Sequence, residues 1–261
     1  MGPRGYILDL DGTVYLGDHP VPGADVAIRT LRARGDRVLF LSNKPIARRE
    51  DYVRKLRGMG IPAELEEVVN SSLVTAQYFQ RICRSGEKVM VVGEEPIQEE
   101  LLQHGIRLTE EPMEARYVLL SWDRGFTYNK LNRVFQAWKQ GAEIVASNPD
   151  RTCPVDGGEL PDTAALIGAV EAVTGQRVGQ VVGKPSSLMA QAALHQLNLE
   201  PAACWLVGDR LETDIRMAQE NGMGSVLVLT GISTRQEAER SPWRPDYILA
   251  SMAEVPDLKI K

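Results

Sequence analysis

Short apolar runs alternate with segments of helical periodicity along most of this chain. The apolar runs at residues 6–10 and 37–41 are separated by residues 24–34, where apolar positions recur every three or four residues. A further helical segment over 48–59 and an apolar run at 68–70 continue the pattern. Because strands that alternate with helices are typical of parallel sheets, this part of the chain predicts one half of a doubly wound sheet.

Two more series of the same kind follow. The second predicts strands and helices in turn over residues 88–92, 96–104, 117–121, 128–140, 143–146 and 162–174. The third predicts them over residues 178–182, 186–197, 203–207, 214–221 and 225–229, with a final strand at 247–249. We therefore predict an α/β protein with a Rossmann-like, doubly wound parallel-sheet core from residues 1–84 and 177–261. Residues 85–176 are predicted to form an inserted, smaller α/β cap domain.

Composition narrows the classes of partner. The chain of 261 residues has 43% hydrophobic and 25% charged residues, as ordinary globular proteins do. It has no apolar run near the ~18 residues that a membrane span requires, and its N-terminus lacks the pattern of a secretory signal. We therefore expect a cytoplasmic protein without a membrane partner. A formal net charge of −5, with basic stretches at helical spacing, argues against a nucleic-acid partner.

Two aspartates mark the end of the first predicted strand, in the sequence Asp9-Leu10-Asp11-Gly12-Thr13. Ligands of open α/β sheets bind at this carboxyl edge. Gly12 lets the chain leave the strand, so both carboxylates can turn into one pocket. Because neighbouring acids repel each other unless a cation or a shared proton intervenes, the pair favours a divalent metal. Asp9 would then be a nucleophile and Asp11 a general acid and base, whereas a plain Asp-Gly turn is the alternative.

Ser42 and Asn43 follow the second predicted strand, over residues 37–41. A hydroxyl and backbone amides at this edge can hold phosphate oxygens. The same residue types are common where a helix begins, so capping before Pro45 is the alternative.

Lys184 follows the predicted strand at residues 178–182. Pro185, placed in the first turn of the next helix, would leave the lysine at the sheet edge. Its ammonium group can bind phosphate and hold Asp9 ionised. An exposed loop lysine is the alternative interpretation.

Gly208-Asp209 follows the predicted strand at residues 203–207. Asp209 is placed to complete an oxygen-rich site for Mg²⁺, a hard cation that takes one or two carboxylates together with phosphate oxygens and waters. Asp214 lies at the start of the next predicted helix, where it either caps the helix or orients a metal-bound water. Four strand ends that bring Asp-x-Asp, Ser, Lys and Asp to one edge of one sheet indicate a single catalytic site.

In this order, these motifs resemble the four motifs of haloacid dehalogenase superfamily phosphatases. The resemblance implies Mg²⁺-dependent hydrolysis of a small phosphate monoester through a phosphoaspartyl intermediate on Asp9. It implies catalytic roles for Asp9, Asp11, Ser42 and Lys184, and a metal held by Asp9, the main-chain carbonyl of Asp11 and Asp209, with Asp214 behind the ligands. Gly12, Thr13 and Asn43 are expected at the bound substrate.

The long insert between the second and third motifs further resembles the large α/β cap of the branch that contains the NagD-like and para-nitrophenyl phosphatases. The supporting residues are Tyr15-Leu16-Gly17, Ser121-Trp122-Asp123-Arg124, Tyr128 and Ser147-Asn148-Pro149-Asp150. This resemblance implies a small soluble substrate, such as a sugar phosphate, a nucleoside monophosphate or phosphoglycolate. It is also compatible with a homodimer through the cap.

Four cap residues are expected to contact the substrate, namely Asp123, Arg124, Asn148 and Asp150. Turn formation explains Asn148-Pro149-Asp150 equally well. Lys44 stands where the branch often has another Asn, and Pro161-Asp162-Thr163 replaces its usual glycine-rich cap turn. These departures bear on the identity of the substrate rather than on the chemistry.

Three other functions make different demands on the sequence. A phosphomutase would use Asp9 and Asp11 in the same way but return the phosphoryl group to a sugar, so phosphate release separates the two. A non-catalytic binding protein would have no need of both acids, the lysine and the metal aspartate together. A dinucleotide-binding domain is excluded because no GxGxxG follows the first strand.

Overall fold

The computed structural model of this chain describes residues 2–155 and 157–259. Its helices are α1 (Ala24–Ala33), α2 (Arg49–Gly58), α3 (Ser71–Ile82), α4 (Glu95–Gln103), α5 (Tyr128–Lys139), α6 (Thr163–Thr174), α7 (Ser187–Leu197), α8 (Arg216–Glu220) and α9 (Arg235–Arg240). Its strands are β1 (Gly5–Asp9), β2 (Tyr15–Leu16), β3 (His19–Pro20), β4 (Arg37–Ser42), β5 (Val68–Asn70), β6 (Lys88–Val92), β7 (Arg107–Leu108), β8 (Ala115–Leu120), β9 (Glu143–Ala146), β10 (Thr152–Val155), β11 (Gly158–Pro161), β12 (Gln180–Val181), β13 (Cys204–Gly208), β14 (Gly224–Val228) and β15 (Tyr247–Leu249). The predicted α/β class is confirmed.

Six strands form the first sheet, in the order β15-β14-β13-β1-β4-β5. Strand β1 pairs in parallel with β4 on one side and with β13 on the other. Strands β13, β14 and β15 continue the sheet in parallel. The chain therefore builds outward from β1 in both directions, which makes the carboxyl end of β1 a switch point of the kind where doubly wound sheets bind ligands.

The hydrophobic pattern explains why these elements pack. Strand β1 is buried along its whole length, as expected for a central parallel strand. Helix α1 buries Ala24, Ala27, Ile28 and Leu31, which recur at intervals of three and four and so form one apolar face. This face packs against β4 and a 3₁₀-helical segment, Met252–Asp257, near the end of the chain. Truncation of Leu31 to alanine would cost about 2–5 kcal/mol of stability.

Five parallel strands form the second sheet, in the order β12-β9-β8-β6-β7. Helices α5 and α6 pack against β8 and against each other. The core between them contains Val118, Leu120, Val134, Leu166 and Val170. Side-chain caps define where both helices begin, and a glycine in the left-handed region ends α6.

The chain divides into two compact units whose limits differ from the predicted domains. The first unit consists of the described parts of Met1–Ser42, Arg49–Val69 and Lys184–Lys261, and the second of those of Asn43–Arg48 and Asn70–Gly183. The cap predicted at residues 85–176 is thus too short at both ends. Helix α3 belongs to the second unit because it packs against α4, and β12 belongs there because it pairs with β9.

The strand predicted at residues 178–182 was assigned to the wrong sheet. Its observed counterpart, β12, pairs Gln180 with Val145 and Val181 with Ala146, inside the second sheet. A short apolar run fits either of two parallel sheets, so periodicity alone cannot decide between them. Lys184 therefore follows a strand of the second sheet rather than of the first.

Several short elements were not predicted. Strands β10 and β11 form an antiparallel hairpin, and β2 and β3 form another directly after the Asp9–Thr13 motif. Both hairpins contain proline and lack a run of alternating apolar residues, which explains why the pattern did not reveal them. Pro185 does not start α7, because Ser186 is the capping residue and its side chain accepts the Leu188 N–H. Within the described residues, no helix has the length and apolar character needed to cross a membrane.

Candidate active site

Strand register brings three of the predicted motifs to one edge of the first sheet. Asp9 ends β1 and lies opposite Leu41 of β4, so Ser42 is one residue further along the neighbouring strand. On the other side, Leu8 pairs with Val207, and Asp209 follows the end of β13. The side chains of Asp9, Ser42 and Asp209 are all buried at this edge. The sequence prediction that these motifs converge is therefore consistent with the register.

Lys184 joins this group although its preceding strand lies in the other sheet. Its Nζ donates to Asp9 Oδ1 at 2.5 Å and to Asp214 Oδ1 at 2.7 Å. All three side chains are buried, so each charge depends on the others for compensation. Asp214 lies in a π-helical turn, Leu211–Ile215, and its Oδ2 accepts the Arg210 N–H at 3.1 Å. Asp214 therefore does not cap α8 but holds the lysine beside Asp9.

The pKa values of Lys184 and Asp9 are both raised, but for different reasons. Burial alone would lower the pKa of Lys184, but Asp214 and Asp9 outweigh it, so the pKa is raised and the lysine stays cationic. Burial raises the pKa of Asp9 well above its usual range; Lys184 opposes this shift, while Asp214 and Asp209 add to it. A cation among the acids would favour the ionised form of Asp9.

Asp209 has one oxygen engaged and one without a partner. Its Oδ2 accepts the Ile232 N–H at 2.7 Å, whereas its buried Oδ1 has no hydrogen-bond partner among the described residues. Burial, followed by repulsion from Asp214, raises the pKa of Asp209 from 3.8 to about 6. A buried carboxylate oxygen without a donor is costly unless a ligand satisfies it.

The acids at this edge fit a hard cation. Single carboxylate oxygens of Asp9, Asp209 and Asp214 all lie within 4.8 Å of one another. With one ammonium, that of Lys184, against three carboxylates, the cluster has excess negative charge when all are ionised. Carboxylate oxygens are the ligands that Mg²⁺ prefers. Because both oxygens of Asp214 are engaged by protein donors, Asp9 and Asp209 are the side chains best placed to serve as ligands.

The rest of the first motif lies close to Asp9. The Thr13 hydroxyl is 3.5 Å from Asp9 Oδ2, longer than an ordinary hydrogen bond between oxygens. Gly12 has φ 90° and donates its N–H to the Tyr15 carbonyl at 2.8 Å, which turns the chain back into the hairpin β2–β3. Asp11 is half-buried, and the Tyr15 hydroxyl points at its Oδ2 from 3.4 Å. Asp11 therefore keeps the access to solvent that a proton-transfer group needs.

Ser42 and Asn43 belong to different units although they are adjacent in sequence. Ser42 is buried, and its hydroxyl lies 3.5 Å from that of Tyr52 in α2. Asn43 is part of the second unit, where its carbonyl accepts the Ser71 hydroxyl at 2.6 Å. Ser42 is thus the member of this motif that the first sheet carries to the edge occupied by Asp9.

Two of the residues predicted to contact the substrate, Asp123 and Arg124, follow β8 in the second unit. Asp123 is buried and accepts the Gly125 N–H at 2.9 Å and the Lys130 ammonium at 2.5 Å. The Arg124 guanidinium forms a bidentate pair with Glu94, with both contacts at 2.7 Å. Both side chains have strong partners inside their own unit, and substrate contact by them stays a prediction.

The other two, Asn148 and Asp150, follow β9 and belong to a buried polar network. Asn148 Nδ2 donates to Asp150 Oδ2 at 3.1 Å and to Asp162 Oδ1 at 3.2 Å, and its Oδ1 accepts the Thr163 hydroxyl at 2.7 Å. Burial, followed by the charge of Asp150, raises the pKa of Asp162. The network fastens the end of β9 to the start of α6, and substrate contact by these residues also stays a prediction.

Proteins of known family resemble this chain over nearly its whole length. Residues 6–107 match a family described as haloacid dehalogenase-like hydrolase, and residues 181–255 match a second family described as HAD-hydrolase-like. The chain is 40% identical over 258 residues to the sugar-phosphatase AraL of Bacillus subtilis (strain 168), an alignment covering 99% of this chain and 94% of that protein. The chain belongs to the haloacid dehalogenase-like hydrolase family. The resemblance drawn from the four motifs is thereby confirmed.

Solved structures agree with this assignment. The p-nitrophenyl phosphatase from Archaeoglobus fulgidus has a TM-score of 0.91 and 30% sequence identity, covering 98% of this chain and 99% of that one. The glycerol phosphate phosphatase from Mycobacterium tuberculosis in complex with magnesium has a TM-score of 0.88 and 29% identity, covering 96% and 75% of the two chains. This haloacid dehalogenase-like chain is therefore an enzyme of the phosphatase group, with the core-and-insert fold predicted for it.

Residues 230–233 complete the site of this haloacid dehalogenase-like chain but were not predicted from the sequence. They follow β14, the strand next to β13, and contact both Gly12 and Asp209. Their sequence, Thr-Gly-Ile-Ser, reads as an ordinary turn, and two of the donors are main-chain N–H groups, which any residue supplies. The signal that was available is their position, since they end another strand of the same sheet.

Proposed function

We propose that this chain hydrolyses the phosphate monoester of a small metabolite, with Mg²⁺ as cofactor and Asp9 as nucleophile. The observation that carries the proposal is the buried carboxylate of Asp9 at the end of the central strand, held by Lys184 at 2.5 Å and clustered with Asp209. Membership of a phosphatase family supports the reaction class, and the donor set supports the metal.

In the first half of the reaction, an Asp9 carboxylate oxygen attacks phosphorus. A bond forms between that oxygen and phosphorus, and the bond from phosphorus to the ester oxygen breaks. Asp11 gives its proton to the departing oxygen, which leaves as an alcohol. The product on the protein is an aspartyl phosphate at Asp9.

In the second half, Asp11 is ionised and acts as a base. It takes a proton from a water molecule as the water oxygen attacks phosphorus. The bond from phosphorus to Asp9 breaks, inorganic phosphate leaves, and both aspartates return to their starting states. One residue thus serves as acid and then as base, which a carboxyl group with partial solvent access can do.

Three further side chains have supporting roles in this proposal. The ammonium of Lys184 attracts the phosphate oxygens and favours the ionised form of Asp9, because it opposes the rise in the Asp9 pKa that burial causes. Asp214 fixes the position of that ammonium through its 2.7 Å contact. The Ser42 hydroxyl, at the end of the adjacent strand, donates to a phosphate oxygen.

The metal would be held by Asp9, Asp209 and the main-chain carbonyl of Asp11. When bound, Mg²⁺ neutralises negative charge on the phosphate and on the acids that surround it. Asp209 contributes the buried oxygen that has no partner among the described residues. The ligands of this proposal are all hard oxygen atoms, which suits Mg²⁺.

We infer a small phosphomonoester as substrate, with sugar phosphates the first class to test. The relative at 40% identity is named a sugar phosphatase, and other relatives are named 4-nitrophenylphosphatase and 5′-nucleotidase. These names share a single phosphate ester and differ in the group attached to it. A panel of sugar phosphates, nucleoside monophosphates and phosphoglycolate, with p-nitrophenyl phosphate as a general substrate, therefore covers the proposal.

The experiment measures phosphate release from this panel with Mg²⁺, with EDTA, and with the variant Asp9→Asn. We expect Mg²⁺-dependent release, and we expect Asp9→Asn to lower kcat by about 10⁴-fold or more, because the nucleophile is lost. Asp51→Asn is the matched control, since Asp51 is an acid on the surface of α2 that pairs with Arg54.

Turnover that survives Asp9→Asn, or that is unchanged by EDTA, would contradict the proposal. Transfer of the phosphoryl group to a second sugar without release of phosphate would replace hydrolysis by mutase activity.

A further inference from the structure

Residues 230–233, which we call the clamp loop, form hydrogen bonds with the main chain and the side chain of Asp209, the proposed metal ligand. The Ile232 N–H donates to Asp209 Oδ2 at 2.7 Å, and the Ser233 N–H donates to the Asp209 carbonyl at 3.0 Å. The Ser233 hydroxyl accepts the Leu211 N–H at 3.1 Å, two residues further along. Two of these contacts hold the main-chain carbonyl and one carboxylate oxygen of Asp209, and the third holds Leu211, while the buried Oδ1 of Asp209 has no partner among the described residues.

The same loop also holds the first motif. The Thr230 hydroxyl donates to the Gly12 carbonyl at 2.6 Å, a short and therefore well-formed hydrogen bond. Gly12 follows Asp11 directly, so this bond fixes the peptide next to the main-chain carbonyl proposed as a metal ligand. The clamp loop thus touches two separate strand ends that must be in register for one ion to bind both.

Close packing makes this arrangement specific. A Cβ on Gly231 would lie 1.9 Å from Asp209 Oδ2, and a Cβ on Gly12 would lie 2.5 Å from the same oxygen. The Gly12 Cβ would also lie 3.2 Å from the Gly231 Cα. Gly12 and Gly231 therefore pack directly against the Asp209 carboxylate, and no side chain fits at either glycine without displacing Asp209.

We propose that the clamp loop sets the affinity for Mg²⁺, with Thr230 as a positioning residue that keeps the Asp11–Gly12 segment and Asp209 at the separation one ion requires. This inference rests on the proposed function, because it takes the Mg²⁺ ligands from it. Thr230 itself contacts neither substrate nor metal in this account. It acts through the Gly12 carbonyl, and Ile232 and Ser233 act through Asp209.

The physical reason is preorganisation. Hydrogen-bonding partners behind metal ligands fix their orientation, and loss of one such partner typically costs about 10–100-fold in metal affinity or activity. An Mg²⁺ site is sensitive to this because the ion demands near-ideal octahedral geometry. If the clamp loop no longer holds the ligands, they can still bind the ion, but part of the binding free energy is then spent on ordering them.

The test titrates the EDTA-stripped full chain with MgCl₂ alone and follows binding by calorimetry. We expect Thr230→Val, which keeps the branched shape and removes the hydroxyl, to raise the Kd for Mg²⁺ about tenfold. Thr230→Ser restores a hydroxyl and should bind close to wild type. Gly231→Ala should lose more affinity than Thr230→Val, because its Cβ displaces Asp209 directly.

The matched control is Thr30→Val. The Thr30 hydroxyl also donates to a main-chain carbonyl, that of Val26 at 2.8 Å, but this hydrogen bond lies within α1 and is exposed. This variant should leave the Kd for Mg²⁺ unchanged. Thermal unfolding in EDTA shows whether each variant is folded, and if Gly231→Ala does not fold, Thr230→Val decides the matter.

Turnover provides a second readout. At saturating Mg²⁺, Thr230→Val should recover a kcat close to wild type, whereas at low Mg²⁺ it should fall behind, because the defect lies in binding the ion. Equal Mg²⁺ affinity in wild type, Thr230→Val and folded Gly231→Ala would overturn the clamp while leaving the proposed function intact. Absence of Mg²⁺ binding by the wild-type chain would overturn the proposed metal site and the clamp with it.

Discussion

Burial gives reactive properties to a cluster of three common side chains, those of Asp9, Asp214 and Lys184. One ammonium faces two carboxylates at 2.5 and 2.7 Å, and all three side chains are buried. Removal of one partner from a buried ion pair leaves the others uncompensated, which makes such groups hard to replace. One cluster thus contains the proposed nucleophile, Asp9, the ammonium that stabilises its charge, and an excess of negative charge that favours a bound cation.

The role of Asp11 as proton donor can be tested apart from the role of Asp9 as nucleophile, by comparing substrates whose leaving groups differ in their need for a proton. Asp11→Asn cannot protonate the departing oxygen, so kcat for an alkyl phosphate should fall about 10²–10⁴-fold. p-Nitrophenolate leaves without a proton, so p-nitrophenyl phosphate should still give a stoichiometric burst of p-nitrophenolate followed by slow turnover. Rapid-mixing absorbance measures the burst.

The control for this prediction is Asp9→Asn, which should give no burst with either substrate. An Asp11→Asn variant that loses both substrates equally, without a burst, would contradict the role of Asp11 as acid and base.

Asp209 should make the stability of the metal-free protein depend on pH. Its pKa is raised from 3.8 to about 6 in the folded chain, so the folded state binds a proton more readily than the unfolded state between these values. The stability contributed by this group is therefore gained as pH falls through 6 and lost as pH rises. Asp209→Asn removes the effect and can still accept the Ile232 N–H.

In EDTA, Asp209→Asn should thus become more stable relative to wild type between pH 4 and pH 7, by up to about 3 kcal/mol. Urea unfolding at several pH values measures the difference, and addition of Mg²⁺ should stabilise wild type alone. A difference independent of pH would show that Asp209 is not strained by its burial.

At the scale of helices and strands, the sequence predicted most elements because their patterns are local. Helix α1 shows its apolar face at Ala24, Ala27, Ile28 and Leu31, and β1 shows an apolar run that ends in Asp9. The motifs at strand ends could be identified for the same reason. The sheet to which β12 belongs could not, because Val181 suits a buried strand in either sheet and its partner β9 is distant in sequence.

The clamp loop illustrates a second limit of sequence reasoning. Ile232 and Ser233 act on Asp209 through their main-chain N–H groups, which leave no trace in side-chain identity. Gly231 and Gly12 matter for the Cβ that they lack, and this becomes visible only when the neighbouring carboxylate is placed. Such contacts follow from packing between strands that are far apart in the chain.

Asn148 should be a structural residue that joins β9 to α6. It is buried and bonded to Asp150, Asp162 and Thr163, so Asn148→Ala should lower the free energy of unfolding by about 1–3 kcal/mol. Asn132→Ala, at an exposed position of α5, is the matched control, with an expected change within about 0.5 kcal/mol. Both are measured by urea unfolding.

Kinetics separates this role from substrate contact. If Asn148 only supports the fold, the folded Asn148→Ala variant should keep the wild-type KM. A raised KM with unchanged stability would instead favour the contact predicted from the sequence.

At the scale of the whole molecule, each compact unit has its own parallel sheet. The first unit combines three segments of the chain, and its site draws on the described parts of all of them, from Asp9 and Tyr52 to Lys184, Asp209 and the clamp loop. Family membership and phosphatase class follow from the comparisons. A homodimer through the cap and a cytoplasmic location stay predictions.

The central claim is that the phosphoryl group passes through Asp9. The direct measurement quenches the enzyme during turnover of p-nitrophenyl phosphate, reduces it with borohydride, and analyses its peptides by mass spectrometry. An aspartyl phosphate is reduced to an alcohol, so the account predicts homoserine at position 9, formed only with substrate and Mg²⁺ and enriched in Asp11→Asn. Homoserine at another aspartate, or none in an enzyme that is turning over and whose Asp11→Asn variant gives a burst, would contradict it.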